Sequence, residues 1–313
     1  MARNFRYKDI RLPQLRSFCV AATEQNFTKA AQALGLSVPT VWEQVRGLER
    51  RLGTALLRRQ GRAVELTPAG QLLLDLIHPC LSGLDSLEQV FSTRLADLPL
   101  SFTVLSTPYL LAYHLVGMVR EFAAKHPSVR LSLRSDVWSF DSLRLVEQGK
   151  AEMAIVPYSR DEPRNPLLEY EDLFELELLL LTAADHPLAR KRQVTLADVV
   201  RFPIVGMSKE GFAQKTLQRL LQRQQLTDRV HRVLESANTD VLCQYVAAGV
   251  GVSLIYARGD ALPVRDQLHA RVFDPELDRL PIALVVRKGA YLSTPARLFE
   301  QTVQKHLRKR PSN

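Results

Sequence analysis

This 313-residue sequence is poor in cysteine, and it has no motif that would place a metal, a disulfide framework or a membrane span. Cys19, Cys80 and Cys243 stand far apart, with no Cys-x-x-Cys and no histidine at ligand spacing, which excludes a structural zinc site. The seven histidines are scattered singly. A glycine-rich phosphate loop is missing too: Gly249–Val250–Gly251 follows a helical pattern instead of joining a strand to a helix. No nucleophile stands in an arguable pair with a base, so the chain does not read as an enzyme, and no cofactor is expected. The longest apolar runs, such as Leu178–Leu181, fall far short of the roughly 20 residues a membrane span needs. The N-terminus, Met-Ala-Arg-Asn-Phe-Arg-Tyr-Lys-Asp, has no apolar leader core. The expectation is a reduced, soluble, cytoplasmic protein with no membrane partner.

What the sequence does have is charge, unevenly placed. Composition is that of a globular chain, 46% hydrophobic and 24% charged, and the length suits two or three domains. Lys and Arg number 42 against 33 Asp and Glu, a net charge of +9. Residues 1–65 hold 12 of the basic and only 5 of the acidic residues, so +7 of the +9 sits in the first fifth. A basic head on a near-neutral body points to a polyanionic partner for the head.

Residues 12–53 read as three short helices. Leu12, Leu15, Phe18, Cys19 and Ala22 follow helical spacing, and Asn26 suits the cap of a second helix with Ala30, Ala31 and Leu34 on one face. Gly35 ends it. Ser37 caps a third helix with Pro39 in its first turn, and Val41, Val45, Leu48 and Leu52 form its buried stripe. Small residues, a glycine turn and a capped third helix make a helix-turn-helix, though the same spacing fits any small three-helix bundle. Leu56–Arg59 and Ala63–Leu66 then form two short strands, a wing whose Arg59 and Arg62 can lie along phosphates. Thr67–Pro68 opens a helix of about seven turns with the stripe Leu73, Leu76, Ile77, Cys80, Leu84, Leu87 and Phe91. That stripe either packs on its own body or pairs with a second copy.

From residue 100, strands alternate with helices in two series, as parallel α/β sheets in two lobes require. Strands fall at Phe102–Leu105, Val129–Leu133 and Met153–Pro157, with helices at Tyr109–Lys125 and Asp141–Gln148. The second series has strands at Leu176–Thr182, Pro203–Val205, Val230–Leu234 and Val250–Ile255. Strand Pro281–Val286 and helix Thr294–Leu307 return to the first lobe.

Gln14–Leu15–Arg16–Ser17–Phe18, Phe27–Thr28–Lys29–Ala30–Ala31–Gln32–Ala33–Leu34, Ser37–Val38–Pro39, Leu48–Glu49, Leu52–Gly53 and Leu66–Thr67–Pro68–Ala69–Gly70 resemble the LysR-type transcriptional regulators. His126–Pro127, Asp185–His186–Pro187–Leu188 and Val246–Ala247–Ala248–Gly249–Val250–Gly251–Val252 extend the resemblance over essentially the whole chain. It implies an N-terminal all-α winged helix-turn-helix (1–66), a long linker helix (67–97) and a two-lobed, periplasmic-binding-protein-like α/β effector domain (98–313). Lobe I takes about 98–162 and 265–313, lobe II about 163–264. The implied partners are promoter DNA, a small-molecule effector, a second copy through the linker helix, a homotetramer, and RNA polymerase.

On the third helix, the face opposite the stripe presents Pro39, Glu43, Arg46 and Arg50, flanked by Thr40 and Trp42. Arg46 and Arg50 can pair with a guanine edge or reach phosphates, and Ser37 with the following N–H groups suits a phosphate. In the family, residues at the positions of Thr28 and Lys29 contact the DNA backbone. Members commonly carry Gln between the Ser and Pro and a Ser–Arg-like pair one turn later; here those places hold Val38, Trp42 and Glu43. Val38 offers only apolar contact. Glu43 can accept from a cytosine amino group or pair with Arg46. Trp42 either reads bases or packs on the first helix or the wing.

Ligands of open α/β lobes bind at strand carboxyl ends, where helix N-termini converge. Three junctions qualify: Ser106–Thr107–Pro108 with Tyr109, Met207–Ser208–Lys209, and Asn238–Thr239, while Trp138 adds an aromatic wall. Hydroxyls, an amide and helix N-termini favour an anionic, carboxylate-bearing effector. The rival reading is a solute-binding receptor whose helical head contacts a protein instead of DNA.

Overall fold

The computed structural model describes residues 10–60, 63–95, 101–135, 139–274 and 279–308. The chain forms two compact units. One runs to Asp97 and takes in 165–167 and 287–292; the other holds the remainder.

The first unit begins with three helices, α1 (Leu12–Glu24), α2 (Phe27–Leu34) and α3 (Val38–Leu52). Local cap chemistry sets their boundaries. Asn26 accepts hydrogen bonds from the Thr28 and Lys29 N–H groups at 2.8 and 3.1 Å, and Ser37 Oγ accepts from Thr40 N–H at 3.2 Å. Gly35, at φ +64, makes the turn between α2 and α3, a conformation that a side chain would strain. Phe18, Ala22, Ala30, Ala31, Val41, Val45 and Leu48 form one core, the two small alanines letting α2 sit close to its neighbours. Ser17 donates to Gln44 Oε1 and ties α1 to α3.

The fourth member of the expected α3 stripe differs. Leu52, in the last turn, is 39% exposed, and Glu49 is buried instead at 7%. Its carboxylate accepts from the Leu56 and Leu57 N–H groups at 2.9 and 3.2 Å, which draws it inward.

Strands β1 (Leu57–Gln60) and β2 (Ala63–Leu66) pair antiparallel as the wing. Helix α4 (Pro68–Leu95) follows. Thr67 Oγ1 donates to the Ala55 carbonyl at 2.7 Å and accepts from Gly70 N–H at 3.0 Å, so one hydroxyl joins the wing to the start of α4. A Cβ at Gly70 would collide with the Leu56 carbonyl, which is the physical reason for a glycine at the end of the Leu-Thr-Pro-Ala-Gly run. The single stripe expected on α4 separates into two faces. Leu73, Leu74, Ile77 and Leu81 pack on the helical core. Leu72, Leu76, Leu84, Leu87 and Phe91 are 45–63% exposed, and Cys80 lies exposed among them.

The second unit starts with β3 (Ser101–Ser106), α5 (Pro108–Tyr113), α6 (Val116–Lys125), β4 (Arg130–Arg134), α7 (Ser139–Glu147) and β5 (Met153–Pro157). The expected helix 109–125 is two helices. The Leu115 N–H reaches back five residues to the Leu110 carbonyl at 3.0 Å, closing α5 before α6 begins. A 16-residue strand, β6 (Leu168–Ala183), comes next, then α8 (Pro187–Arg190), α9 (Leu196–Val199), β7 (Ile204–Met207), α10 (Phe212–Arg223), β8 (Arg232–Ser236), α11 (Thr239–Ala247) and β9 (Ser253–Ala257). Strands β10 (Leu268–Val272) and β11 (Leu280–Arg287) and helix α12 (Thr294–Arg308) complete it.

The sheets are mixed, not purely parallel. β3 pairs parallel with β4 and β5, and β7 with β8, as alternation predicts. β11 joins β5 antiparallel, and the C-terminal half of β6 pairs antiparallel with both β9 and β10. A parallel bridge between Ile204 and Val252 ties β7 to β9. β6 thus belongs to both lobes: it neighbours β11 in one and β9 and β10 in the other. The first lobe is filled by the Phe102, Phe122 and Phe299 rings on one face, with centroids 5.3–5.6 Å apart, and by Leu105, Val146, Val156 and Val285 on the other. The second has its own core of Leu178, Leu180, Ile204, Leu217, Val252 and Leu254. Parallel strand ends and helix N-termini therefore meet where the lobes adjoin.

Candidate functional site

Two places combine exposed or enclosed polar chemistry with an orderly scaffold: one face of α3, and a cavity between the lobes of the second unit. On α3, Pro39, Trp42, Glu43, Arg46 and Arg50 are exposed, while Val41, Val45 and Leu48 are buried behind them. The Ser37 and Thr40 hydroxyls share a 2.7 Å hydrogen bond at the exposed N-terminus of the helix. Thr28 and Lys29 are exposed at the start of α2. Val38 is half-buried and packs against the helical core.

Arg46 is held from two sides. Its guanidinium lies 5.1 Å from the centre of the Trp42 ring and 3.3 Å from Glu49 Oε2. Residues 42, 46 and 49 are spaced i, i+4, i+7, so one helix face supplies a ring, a cation and a carboxylate in a line. Arg46 pairs with Glu49, and not with Glu43 as one of the two readings of Glu43 has it, because Glu49 is fixed by the wing amides. The wing contributes Arg58, which pairs with Glu65 at 2.9 Å and is 72% exposed. In sequence Arg58 carries no mark that sets it apart from Arg59 and Arg62; its pairing across the wing does. The Arg59 side chain, Gly61–Arg62 and Trp138 lie outside the described residues.

The cavity in the second unit measures about 450 Å³, within the range of small-molecule sites. Part of its lining is made by helix N-termini. Thr107, Tyr109, Met207, Asn238 and Thr239 line it, as the sequence anticipated, joined by Gly211, Phe212 and Ala213 at the start of α10. Thr107 Oγ1 accepts from Leu110 N–H at 3.4 Å, and Asn238 Oδ1 accepts from Asp240 N–H at 2.8 Å. Helix α10 has Gly211 at its cap and no side-chain cap bond. Ser106 and Ser208 are not part of this lining. The Ser106 hydroxyl is buried and donates to the Ile155 carbonyl at 2.6 Å, so it stitches β3 to β5 instead of facing the cavity.

Tyr109 and Tyr113 reach from α5 across to the other lobe. The Tyr109 hydroxyl donates to the Ala261 carbonyl at 2.9 Å and accepts from Arg258 N–H at 3.0 Å. Burial pushes its phenol well above the usual tyrosine range. Tyr113 donates to Asp240 Oδ1 at 2.9 Å, beside Thr239; desolvation and then that carboxylate push its phenol up to about 12. Neither hydroxyl ionises near neutral pH.

The same cavity is also lined by aromatic and charged side chains that no sequence motif marks. Tyr158, Arg164, Tyr170, Phe212, Lys215 and Tyr256 converge there from the segment after β5, from β6, from α10 and from β9. Arg164 lies 4.7 Å over the Tyr158 ring and 5.5 Å over Tyr170. Such a gathering has no signature in sequence, because four separate elements supply it.

Among the described residues no group of three metal-ligating side chains comes together, and no helix is long and apolar enough to cross a membrane. The cysteines are inert or plain: burial pushes the Cys19 and Cys243 thiols up to about 12, and Cys80 is exposed on α4.

Comparison with known proteins gives two family matches. Residues 12–71 match the bacterial regulatory helix-turn-helix protein of the lysR family, and residues 100–308 match the LysR substrate binding domain. The RuBisCO operon transcriptional regulator of Allochromatium vinosum is 27% identical over 299 residues, covering 94% of this chain and 95% of that protein. Among solved structures, a cysteine mutant of OxyR from Corynebacterium glutamicum aligns with a TM-score of 0.54 at 24% identity, over 98% of this chain and 95% of that one. Full-length CbnR complexed with its target DNA aligns with a TM-score of 0.51 at 20% identity, over 94% and 99%.

Proposed function

The chain belongs to the LysR family of DNA-binding transcriptional regulators, and we propose that its parts divide the work as follows. Residues 1–66 read promoter DNA, 67–97 form the linker and dimerisation helix, and 98–313 bind the effector. The lobe boundary expected at 265 moves to about 280, because β10 pairs with the C-terminal half of β6 in the second lobe; lobe I then takes about 98–162 and 280–313, and lobe II about 163–272.

The observation that carries the DNA-reading assignment is the exposed face of α3, where Arg46 and Arg50 stand outward on a helix whose opposite side is buried at Val41, Val45 and Leu48. In the major groove Arg46 pairs with a guanine edge, held in place by the Trp42 ring and Glu49; Trp42 is its platform. Arg50, Lys29 and the wing arginines 58, 59 and 62 meet phosphates. Thr28, Ser37, Pro39 and Thr40 bring the two helix N-termini to the backbone, where the partial positive charge favours phosphate. Glu43 sits beside them, where it accepts from cytosine and disfavours close phosphate approach. Arg46→Ala should weaken operator affinity by about 1–3 kcal/mol and relax preference at one base pair. Unchanged affinity and base preference in a fluorescence-anisotropy titration would put that face outside the groove.

The effector-binding part takes a small anionic molecule in the 450 Å³ cavity. Its carboxylate meets the N-termini of α10 and α11 with the Thr107, Asn238 and Thr239 donors. The exposed line Leu72, Leu76, Leu84, Leu87 and Phe91 supports a homodimer through α4. Two such dimers make the tetramer, and RNA polymerase is the partner that reads the outcome. The site of action is the cytoplasm, where promoter DNA is met.

A further inference from the structure

The donors at the helix N-termini leave the rest of the ligand undetermined, and the aromatic part of the lining specifies it. We propose that the effector is an aromatic monocarboxylate, its ring held against Tyr170, Phe212 and Tyr256. This rests on the reading of the cavity as the effector site.

The first support is that the hydroxyls of Tyr158 and Tyr256 already have partners within the protein. The Tyr158 hydroxyl donates to Asp172 Oδ1 at 2.7 Å and accepts from Arg164 at 2.6 Å. Tyr256 shares a 3.2 Å hydrogen bond with Thr216. The Tyr158 ring is buried beneath Arg164, so the ring surface that lines the cavity comes from Tyr170, Phe212 and Tyr256, with Leu176 and Ile255 beside them. Offset and edge-to-face contacts with a flat π system suit such a wall.

The second support is charge. The two cations lining the cavity are matched: Arg164 stands 3.9 Å from Asp172 and stacks on two tyrosines, and Lys215 pairs with Glu162 at 3.3 Å. The other charged group in the lining is a carboxylate, Glu210. Backbone and hydroxyl donors at the helix N-termini can neutralise one carboxylate. A second negative charge would meet Glu162 and Glu210 with their side of the cavity already balanced. An aliphatic dicarboxylate or a phosphate ester is thereby disfavoured.

Isothermal titration of the full-length protein with phenylacetate, cyclohexylacetate and adipate tests this. Phenylacetate should bind about tenfold or more tightly than cyclohexylacetate, which keeps the carboxylate and size but has no π face. Adipate should bind more weakly than either. Tyr170→Leu should remove most of the phenylacetate preference, and Tyr170→Phe should keep it. Adipate or cyclohexylacetate binding as tightly as phenylacetate rejects the aromatic class while leaving the cavity as the effector site. So does a preference unchanged in Tyr170→Leu. Absence of binding by all three acids at millimolar concentration overturns both readings.

Discussion

In the proposed DNA contact, Arg46 depends on neighbours that themselves need not touch DNA. The Trp42 ring and the Glu49 carboxylate confine its guanidinium before DNA arrives, so less side-chain freedom is lost on binding. Trp42→Leu removes the cation–π contact but keeps an apolar side chain, and should cost roughly 0.5–1 kcal/mol of operator affinity. If Trp42 is a platform, Arg46→Ala and the Trp42→Leu/Arg46→Ala double variant will bind alike, as a double-mutant cycle reads directly. Additive losses would instead make Trp42 an independent contact.

A second residue-scale test lies in the body. Glu152 accepts from both the Ser293 N–H and hydroxyl, at 3.1 and 2.8 Å. Burial nevertheless raises its pKa above the ordinary 4.5, the two bonds opposing that shift without reversing it. A carboxyl with a raised folded pKa contributes stability that is full below the unfolded value and lost as pH rises through the folded one. Glu152→Gln keeps an acceptor and has no proton to lose. Its melting temperature should therefore gain on wild type as pH is raised from about 4 towards 7. Parallel curves would show that the raised pKa has no bearing on folding.

At the scale of elements, what was legible in sequence was what is decided locally. Asn26, Ser37 and Thr67 cap helices through atoms two or three residues away, so the head could be read with its boundaries. Glu49 could not, because a carboxylate on a helix reads as solvated until the wing amides that claim it are known. β6 and β10 were partly or wholly missed for a related reason. Glu169, Glu171, Asp172 and Glu175 interrupt the first half of β6, and Leu268–Val272 carries His269 and Arg271 in only five residues. Their antiparallel pairing also broke the expected parallel pattern. The aromatic part of the cavity lining lay furthest out of reach, since only the fold brings the segment after β5, β6, α10 and β9 together.

Helix α4 supplies the element-scale prediction. Its Leu72, Leu76, Leu84, Leu87 and Phe91 form an exposed apolar line that a second copy would cover. Leu76→Glu combined with Leu84→Glu should halve the mass seen by light scattering, or reduce it from tetramer to a smaller species. Leu73 and Ile77 on the other face are untouched, so the head should still fold. In the assembled wild type Cys80, on the same line, should react slowly with maleimide, and quickly in the double variant. Equal mass and equal Cys80 reactivity in the two proteins would move the dimer contact elsewhere.

At the scale of the whole molecule, charge and cavity divide between the two units. Most of the +9 net charge belongs to residues 1–65, whereas the second unit holds the cavity, whose two lining cations are paired. A ligand that binds the cavity can alter transcription only by binding one arrangement of the assembly better than another. Its effect is therefore a coupling free energy between cavity and promoter, reciprocal by linkage. The most direct measurement is equilibrium binding of the full-length protein to its upstream DNA across a salt series, with Arg50→Ala beside wild type. The logarithm of the affinity should fall linearly and steeply with the logarithm of salt, and Arg50→Ala should lower the slope by about 1. A salt-insensitive interaction, or none with any upstream fragment, would contradict a DNA-reading head.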